Sequence, residues 1–193
     1  MTYFFQKGTN KQLIVAFHGT GGNQYQLLTT TAALFPEASL VSFLGNVGKA
    51  ENRRFFAPTK NGQLDRTEFD GRTLEFIENE WPQIETTDYE EIIFIGYSNG
   101  ANYILGLLEK NPAIADTVIL LHPSDLNYQF VGLRETPRIL LTTGSQDELS
   151  LAGDLVKLEK QLENHFTDVE LLIVDGGHGL EAEEITRLKK YFK

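Results

Sequence analysis

Six short apolar runs set the architecture open to this chain: LIVAF (13–17), SLVSFL (39–44), EEIIFIG (90–96), TVILL (117–121), RILLTTG (138–144) and VELLIV (169–174). Between them, apolar residues return at helical spacing. Leu27/Leu28 and Leu34/Phe35 lie seven apart, and Ala101, Ile104, Leu105 and Leu108 fall at i, i+3, i+4 and i+7. Leu155, Leu158 and Leu162 mark another helix, and Ile185, Leu188 and Phe192 the last. Strands that are apolar on both faces must be covered on both faces. The pattern therefore predicts an α/β fold, a mostly parallel central sheet flanked by helices. Crossovers in such sheets are right-handed, and ligands bind beyond the carboxyl ends of the strands. With 193 residues and no internal repeat or linker, one domain over 1–193 is expected.

Charge and motif content narrow the function. Seventeen basic against 27 acidic residues give a net charge of −10. Such a surface repels phosphate backbones and anionic headgroups, so neither a nucleic-acid partner nor membrane docking is expected. The chain has no cysteine, which excludes disulfides and thiolate metal sites. The opening MTYFFQKGTNKQLIVAFHGT lacks the basic and long apolar regions of a signal peptide, and Leu13–Phe17 is too short to span a bilayer. A cytoplasmic location is the expectation. No HExxH, Walker or dinucleotide-spaced glycine pattern occurs, so no metal and no cofactor are expected.

GYSNG (96–100) is the stretch that points to chemistry. Ser98 follows an apolar strand and opens an amphipathic helix, the setting of a nucleophile elbow. So sharp a turn strains the serine backbone and lifts its hydroxyl above the sheet. Gly96 and Gly100 keep Cβ atoms out of the crowded turn. The helix starting at Asn99 directs its N-terminal amides at a developing oxyanion.

A serine hydroxyl needs a base, and the base needs an orienting acid. In this architecture the acid and then the histidine follow the serine. His18 precedes Ser98, His122 precedes the best acid, and His165 lies at the polar end of a helix. His178, in VDGGHGL just past the last strand, is the candidate base; the competing reading is a loop histidine held by backbone contacts. Asp147, three residues beyond Gly144, is the candidate acid. Its competing reading is a helix N-cap. Glu148 is the near alternative, and Asp175 is too close to His178 in sequence to face its ring easily. The two oxyanion donors are expected to be the backbone N–H groups of Thr20, in HGTGG, and Asn99.

With these residues in view, the chain resembles the small α/β-hydrolases of the phospholipase/carboxylesterase type, which include acyl-protein thioesterases, and is most similar to the bacterial carboxylesterases linked to hydroquinone resistance. HGTGGN (18–23), GN (45–46) with RFF (54–56), GYSNGAN (96–102), HP (122–123) and the segments around Asp147 and GGHGL (176–180) carry the likeness. The resemblance implies an α/β-hydrolase fold without a large lid domain. It also implies Ser98, Asp147 and His178 as a triad, Thr20 and Asn99 as oxyanion donors, and metal-independent ester hydrolysis. The chain departs from the family pattern at Leu44, at SQDELS and at HPS (122–124), positions that bear on specificity.

The expectation is thus a serine carboxylesterase acting on small esters through an acyl-enzyme. A thioesterase or lysophospholipase with the same triad is the first alternative, and a non-catalytic binding protein of the same fold the second. Segments 45–66 and 122–137 are expected to bound an open groove. Phe55, Phe56, Tyr128 and Phe130 are candidates for its apolar wall, Arg53 and Arg54 for an anionic group, and His122 for a further substrate contact. The expected partner is a small-molecule ester; the oligomeric state stays open, with a homodimer as one option.

Overall fold

The computed structural model describes residues 1–133 and 136–192; Arg134 and Glu135, within the expected groove segment 122–137, lie outside the described residues. All six apolar runs are strands: β2 (Gln12–Phe17), β3 (Ser39–Leu44), β4 (Glu91–Tyr97), β5 (Thr117–Leu121), β6 (Arg138–Gly144) and β7 (Val169–Val174). They follow β1 (Thr2–Gln6), and the seven form one sheet in the order β1-β3-β2-β4-β5-β6-β7. Only β1 is antiparallel, running against β3 from Thr2↔Leu44 to Gln6↔Leu40.

The helices are α1 (Leu28–Leu34), α2 (Arg66–Glu75), α3 (Asn99–Lys110), α4 (Ala152–Glu163) and α5 (Ala182–Leu188). Alternate residues of β2 enter two different cores. Leu13, Val15 and Phe17 pack with Phe69 of α2, Tyr103, Ile104 and Leu107 of α3, and Leu155, Leu158 and Leu162 of α4. Ile14 and Ala16 face Leu34 of α1 and Leu188 of α5. Phe17 is fully buried, stacked on Phe43 at 5.7 Å and edge-on to Phe55 and Phe76. Burial of one such ring contributes about 1.5–3 kcal/mol.

Two elements carry no apolar period. β1 leaves Tyr3 and Phe5 nearly half exposed. α2 buries only Phe69 and Thr73 over ten residues and is held at its start by Asp65, whose carboxylate accepts the Glu68 N–H at 3.2 Å. Parallel registry aligns Phe17 with Gly96, Tyr97 with Leu121 and Gly144 with Val174. The loops leaving β2, β4, β5, β6 and β7 therefore emerge side by side. They carry His18, Ser98, His122, Asp147 and His178. Among the described residues, no helix is long and apolar enough to cross a membrane.

Candidate active site

The turn from β4 into α3 holds Ser98 at φ +52°, a strained conformation for a residue with a Cβ, costing about 1–3 kcal/mol. It is kept there from both sides. Its amide donates to the Leu121 carbonyl at 2.8 Å, and its carbonyl accepts the Asn102 amide at 2.9 Å in the first turn of α3.

The Ser98 hydroxyl lies 2.9 Å from Nε2 of His178. Nδ1 of the same ring lies 2.8 Å from Oδ2 and 3.1 Å from Oδ1 of Asp147. The three expected residues are thus in contact, in the expected order. Asp147 is not a helix cap: α4 begins at Ala152, with Leu151 in the N-cap position and no side chain capping it. Its Oδ1 instead accepts the amides of Leu149 and Ser150, both at 2.8 Å. Tyr97 donates its hydroxyl to the His178 carbonyl at 2.7 Å, tying the His178 loop to the sheet.

Thr20 and Asn99 line one cleft with Ser98, together with Arg54, Phe56, Thr59, Asn102, Ser124 and Leu126; its volume is about 160 Å³. Around Thr20, the amides of Gly19, Gly21 and Gly22 are tied to Gln26 Oε1, the Arg53 carbonyl and the Gly19 carbonyl. His18 braces this loop. Its Nε2 accepts the Gly45 amide at 3.0 Å, which assigns the proton to Nδ1, 2.7 Å from the Gly19 carbonyl oxygen. Burial, with Arg53 nearby, lowers the pKa of His18 and keeps it in the neutral form this acceptor role needs.

Several expected substrate contacts are placed elsewhere. Phe55 is fully buried and stacks on Tyr103 at 5.2 Å, because Asn99 Oδ1 accepts its amide at 2.8 Å and turns the segment inward. Tyr128 and Phe130 are buried in the same core, Phe130 against Phe166. Arg53 donates to the Gly45 carbonyl at 3.0 Å and braces a loop. His122 is fully buried, with Nδ1 at 2.7 Å from Asp147 Oδ2 and Nε2 at 3.2 Å from Glu184 Oε2. It sits behind Asp147 and does not line the cleft. Arg54 and Phe56 do line the cleft. The Asn99 and Asn102 side chains went unread in the sequence. Asn102 Oδ1 accepts the Ser124 amide at 2.7 Å, so α3 anchors both walls of the cleft through two asparagines.

Asp147 is only 4% exposed. Burial would raise its pKa, but donation from His122, the Ser150 amide, His178 and the Leu149 amide reverses this and holds it at about 2, against 3.8 ordinarily. A value depressed by folding stabilises above the unfolded pKa: about 2 kcal/mol is present above about pH 4 and lost as the pH falls through about 2. His122 behaves oppositely. Burial would lower its pKa, but the hydrogen bonds and charges of Glu184 and Asp147 raise it above 6.5. Its contribution is complete below 6.5 and lost as the pH rises through the folded value. Urea titrations across pH should therefore show stability falling on both flanks, with a shallower acidic flank in Asp147→Asn. An unchanged acidic flank in that variant contradicts this assignment.

His122, Asp147 and His178 also converge within 4.8 Å, as metal ligands do. Both histidines direct Nδ1 at the carboxylate, His178 turns Nε2 to Ser98, and His122 turns Nε2 to Glu184. A metal needs unprotonated nitrogen facing it, and both nitrogens facing the carboxylate are hydrogen-bond donors. The cluster fits proton handling, not metal binding.

A mostly parallel sheet with a strained serine on the β4–α3 turn defines the class: this is an α/β-hydrolase fold. No family model matches the chain. MhqD of Bacillus subtilis strain 168 is 27% identical over 197 residues, spanning all of this chain and 98% of MhqD. The esterase YpfH of Escherichia coli K12 is 28% identical over 186 residues, 89% of this chain and 77% of YpfH. The carboxylesterase of Bacillus cereus superposes with a TM-score of 0.89 at 29% identity, covering all of this chain and 93% of its own. The chain thus has the α/β-hydrolase fold and is similar, along nearly its whole length, to proteins named hydrolase, esterase and carboxylesterase.

Proposed function

We propose that the protein is a serine carboxylesterase that cleaves small esters through an acyl-enzyme, with Ser98, His178 and Asp147 as its triad. The observation that carries this reading is the 2.9 Å contact from Ser98 Oγ to His178 Nε2, continued at 2.8 Å from Nδ1 to Asp147. His178 takes the Ser98 proton as Oγ attacks the ester carbonyl. The carbonyl electron pair moves onto oxygen, where the Thr20 and Asn99 amides meet it. Collapse expels the alkoxide, protonated by His178, and leaves Ser98 acylated. Water, deprotonated by the same imidazole, then releases the acid and restores the serine. Asp147 keeps its negative charge throughout and stabilises the imidazolium. With p-nitrophenyl acetate, an initial burst of one p-nitrophenol per protein chain, or stoichiometric trapping of acetyl on Ser98 after acid quench, is the expected result. Turnover with neither would remove the acyl-enzyme.

The cleft also supports a substrate class. It measures about 160 Å³, and seven of its nine lining residues are polar; none is acidic, in a chain of net charge −10. A compact ester fits this lining, and a long lipid acyl chain does not. Arg54, half-buried, donates from Nε to the Asn52 carbonyl at 3.3 Å and belongs to a cleft lining that contains no carboxylate. Esters carrying a carboxylate should therefore be preferred. On p-nitrophenyl hemisuccinate, Arg54→Ala should lose about 10- to 100-fold in kcat/KM, while p-nitrophenyl butyrate changes by less than about threefold. Equal losses on both esters would contradict this role.

A further inference from the structure

We propose that His122 and Glu184 are positioning residues for this reaction: a buried imidazole–carboxylate pair that clamps Asp147 from behind while His178 takes it from the cleft side. The inference rests on the triad reading above and goes beyond it. Asp147 Oδ2 is shared between two imidazoles, His178 at 2.8 Å and His122 at 2.7 Å. One serves the cleft and the other does not reach it. Both His122 and Glu184 are 0% exposed, so neither has solvent to satisfy it.

His122 is itself held on all sides. Its amide donates to the Thr142 carbonyl at 3.0 Å, and its carbonyl accepts the Ser150 hydroxyl at 2.7 Å. Its backbone sits at φ +50°, a conformation that an ordinary surface-tolerant position does not demand of a histidine. Ser150 also donates its amide to Asp147, so one residue locks both the acid and the imidazole behind it. Glu184 reaches the network from α5, on the opposite side, through Oε2; its other oxygen, Oε1, is buried without a hydrogen-bond partner among the described residues. Burying a carboxylate in this way is strongly unfavourable unless a cation faces it, and His122 is the group that does.

The pair adds no net charge: His122 supplies a cation facing Asp147, and Glu184 offsets that cation. Without His122, Asp147 would keep the Leu149 and Ser150 amides on Oδ1 and His178 on the cleft side, but Oδ2 would have no partner behind it. With His122 protonated between two carboxylates, Asp147 is fixed in direction and stays ionised. The network as a whole keeps one net negative charge. Proton transfer from Ser98 to His178 then brings it to neutrality, which favours the imidazolium at the step where it forms. The titratable groups facing His122 are Asp147 from the loop after β6, Glu184 from α5, His178 with ring centres 5.4 Å apart, and Tyr97 of β4 at 6.0 Å. The raised pKa of His122 agrees with this arrangement.

Two substitutions test it. Glu184→Gln keeps shape and hydrogen bonding but removes one charge. His122→Asn removes the imidazole with a residue that tolerates left-handed backbone. Glu184→Gln should lower kcat about 10-fold and His122→Asn about 100-fold, with KM within about threefold, as loss of an orienting partner does. The ¹⁵N titration of His122 should move to lower pH in Glu184→Gln. His122→Asn should also be the least stable variant, because it strands Glu184, and adding Glu184→Gln should restore stability without restoring kcat. If a single variant fails to fold, the double variant, which strands no charge, carries the same kinetic criterion. A kcat within about twofold of wild type in folded Glu184→Gln or in the double variant overturns the inference. Failure of the triad reading looks different: wild-type Ser98 would not react with a fluorophosphonate at all.

Discussion

Ser98→Ala should leave a folded protein with kcat/KM on p-nitrophenyl acetate reduced by about 10⁴-fold or more, since loss of a triad nucleophile typically costs several powers of ten. The loss should fall on kcat, because the cleft contacts that hold the ester remain. Structural side effects are expected to be small. The serine makes its backbone hydrogen bonds through N and O, to Leu121 and Asn102, and alanine keeps both. Only one oxygen leaves, so Tm should move by no more than about 2 °C. Residual hydrolysis above the rate in buffer is expected from the Thr20 and Asn99 amides. If Ser98→Ala retained a tenth of the wild-type activity, a different nucleophile would be at work.

Gly100→Ala should be a severely damaging single-methyl change. A Cβ at Gly100 would lie 2.1 Å from the Phe17 carbonyl oxygen, 2.6 Å from its carbon and 2.7 Å from the His18 oxygen. All three are backbone atoms at the end of a central strand. They cannot withdraw without breaking the pairing of Phe17 with Gly96 or displacing the loop that carries Thr20. Overpacking against rigid backbone should cost more than about 3 kcal/mol and lower Tm by about 6–12 °C. Activity should fall with it, because α3 and the Thr20 loop are forced apart. Gly153→Ala serves as the control. A Cβ there meets nothing within 4 Å, and the position lies in α4, so helix propensity should stabilise by up to about 1 kcal/mol. A Gly100→Ala protein as stable as wild type would show that the β4–α3 turn is not packed as described.

What the sequence disclosed follows from the physics of each element. The six parallel strands are legible because burial on both faces writes an unbroken apolar run. β1 is not, since an edge strand with exposed Tyr3 and Phe5 has no such run. α2 is hidden because two buried residues in ten make no stripe. Ser98, Asp147 and His178 were recognisable by type and by position after a strand. The residues behind them were not. Glu184 stands in AEEITRL, where a glutamate looks like solvent-facing charge, and only the packing of α5 reveals that it is fully buried against His122. The loop aromatics misled for the opposite reason. Phe55, Tyr128 and Phe130 were expected to wall the cleft, but the two asparagines of α3 draw these loops back onto the helices and put the rings in the core. A short asparagine side chain spaced i, i+3 on a helix is too common a pattern to announce such an anchor.

A single nucleophile made reactive by one imidazole is the central claim. Incubation with a fluorophosphonate probe followed by peptide mass mapping tests this most directly. One adduct per chain on Ser98, absent in Ser98→Ala and formed at least about a hundredfold more slowly in His178→Ala, is the expected result. An adduct on another residue, or none while ester hydrolysis continues, would contradict it.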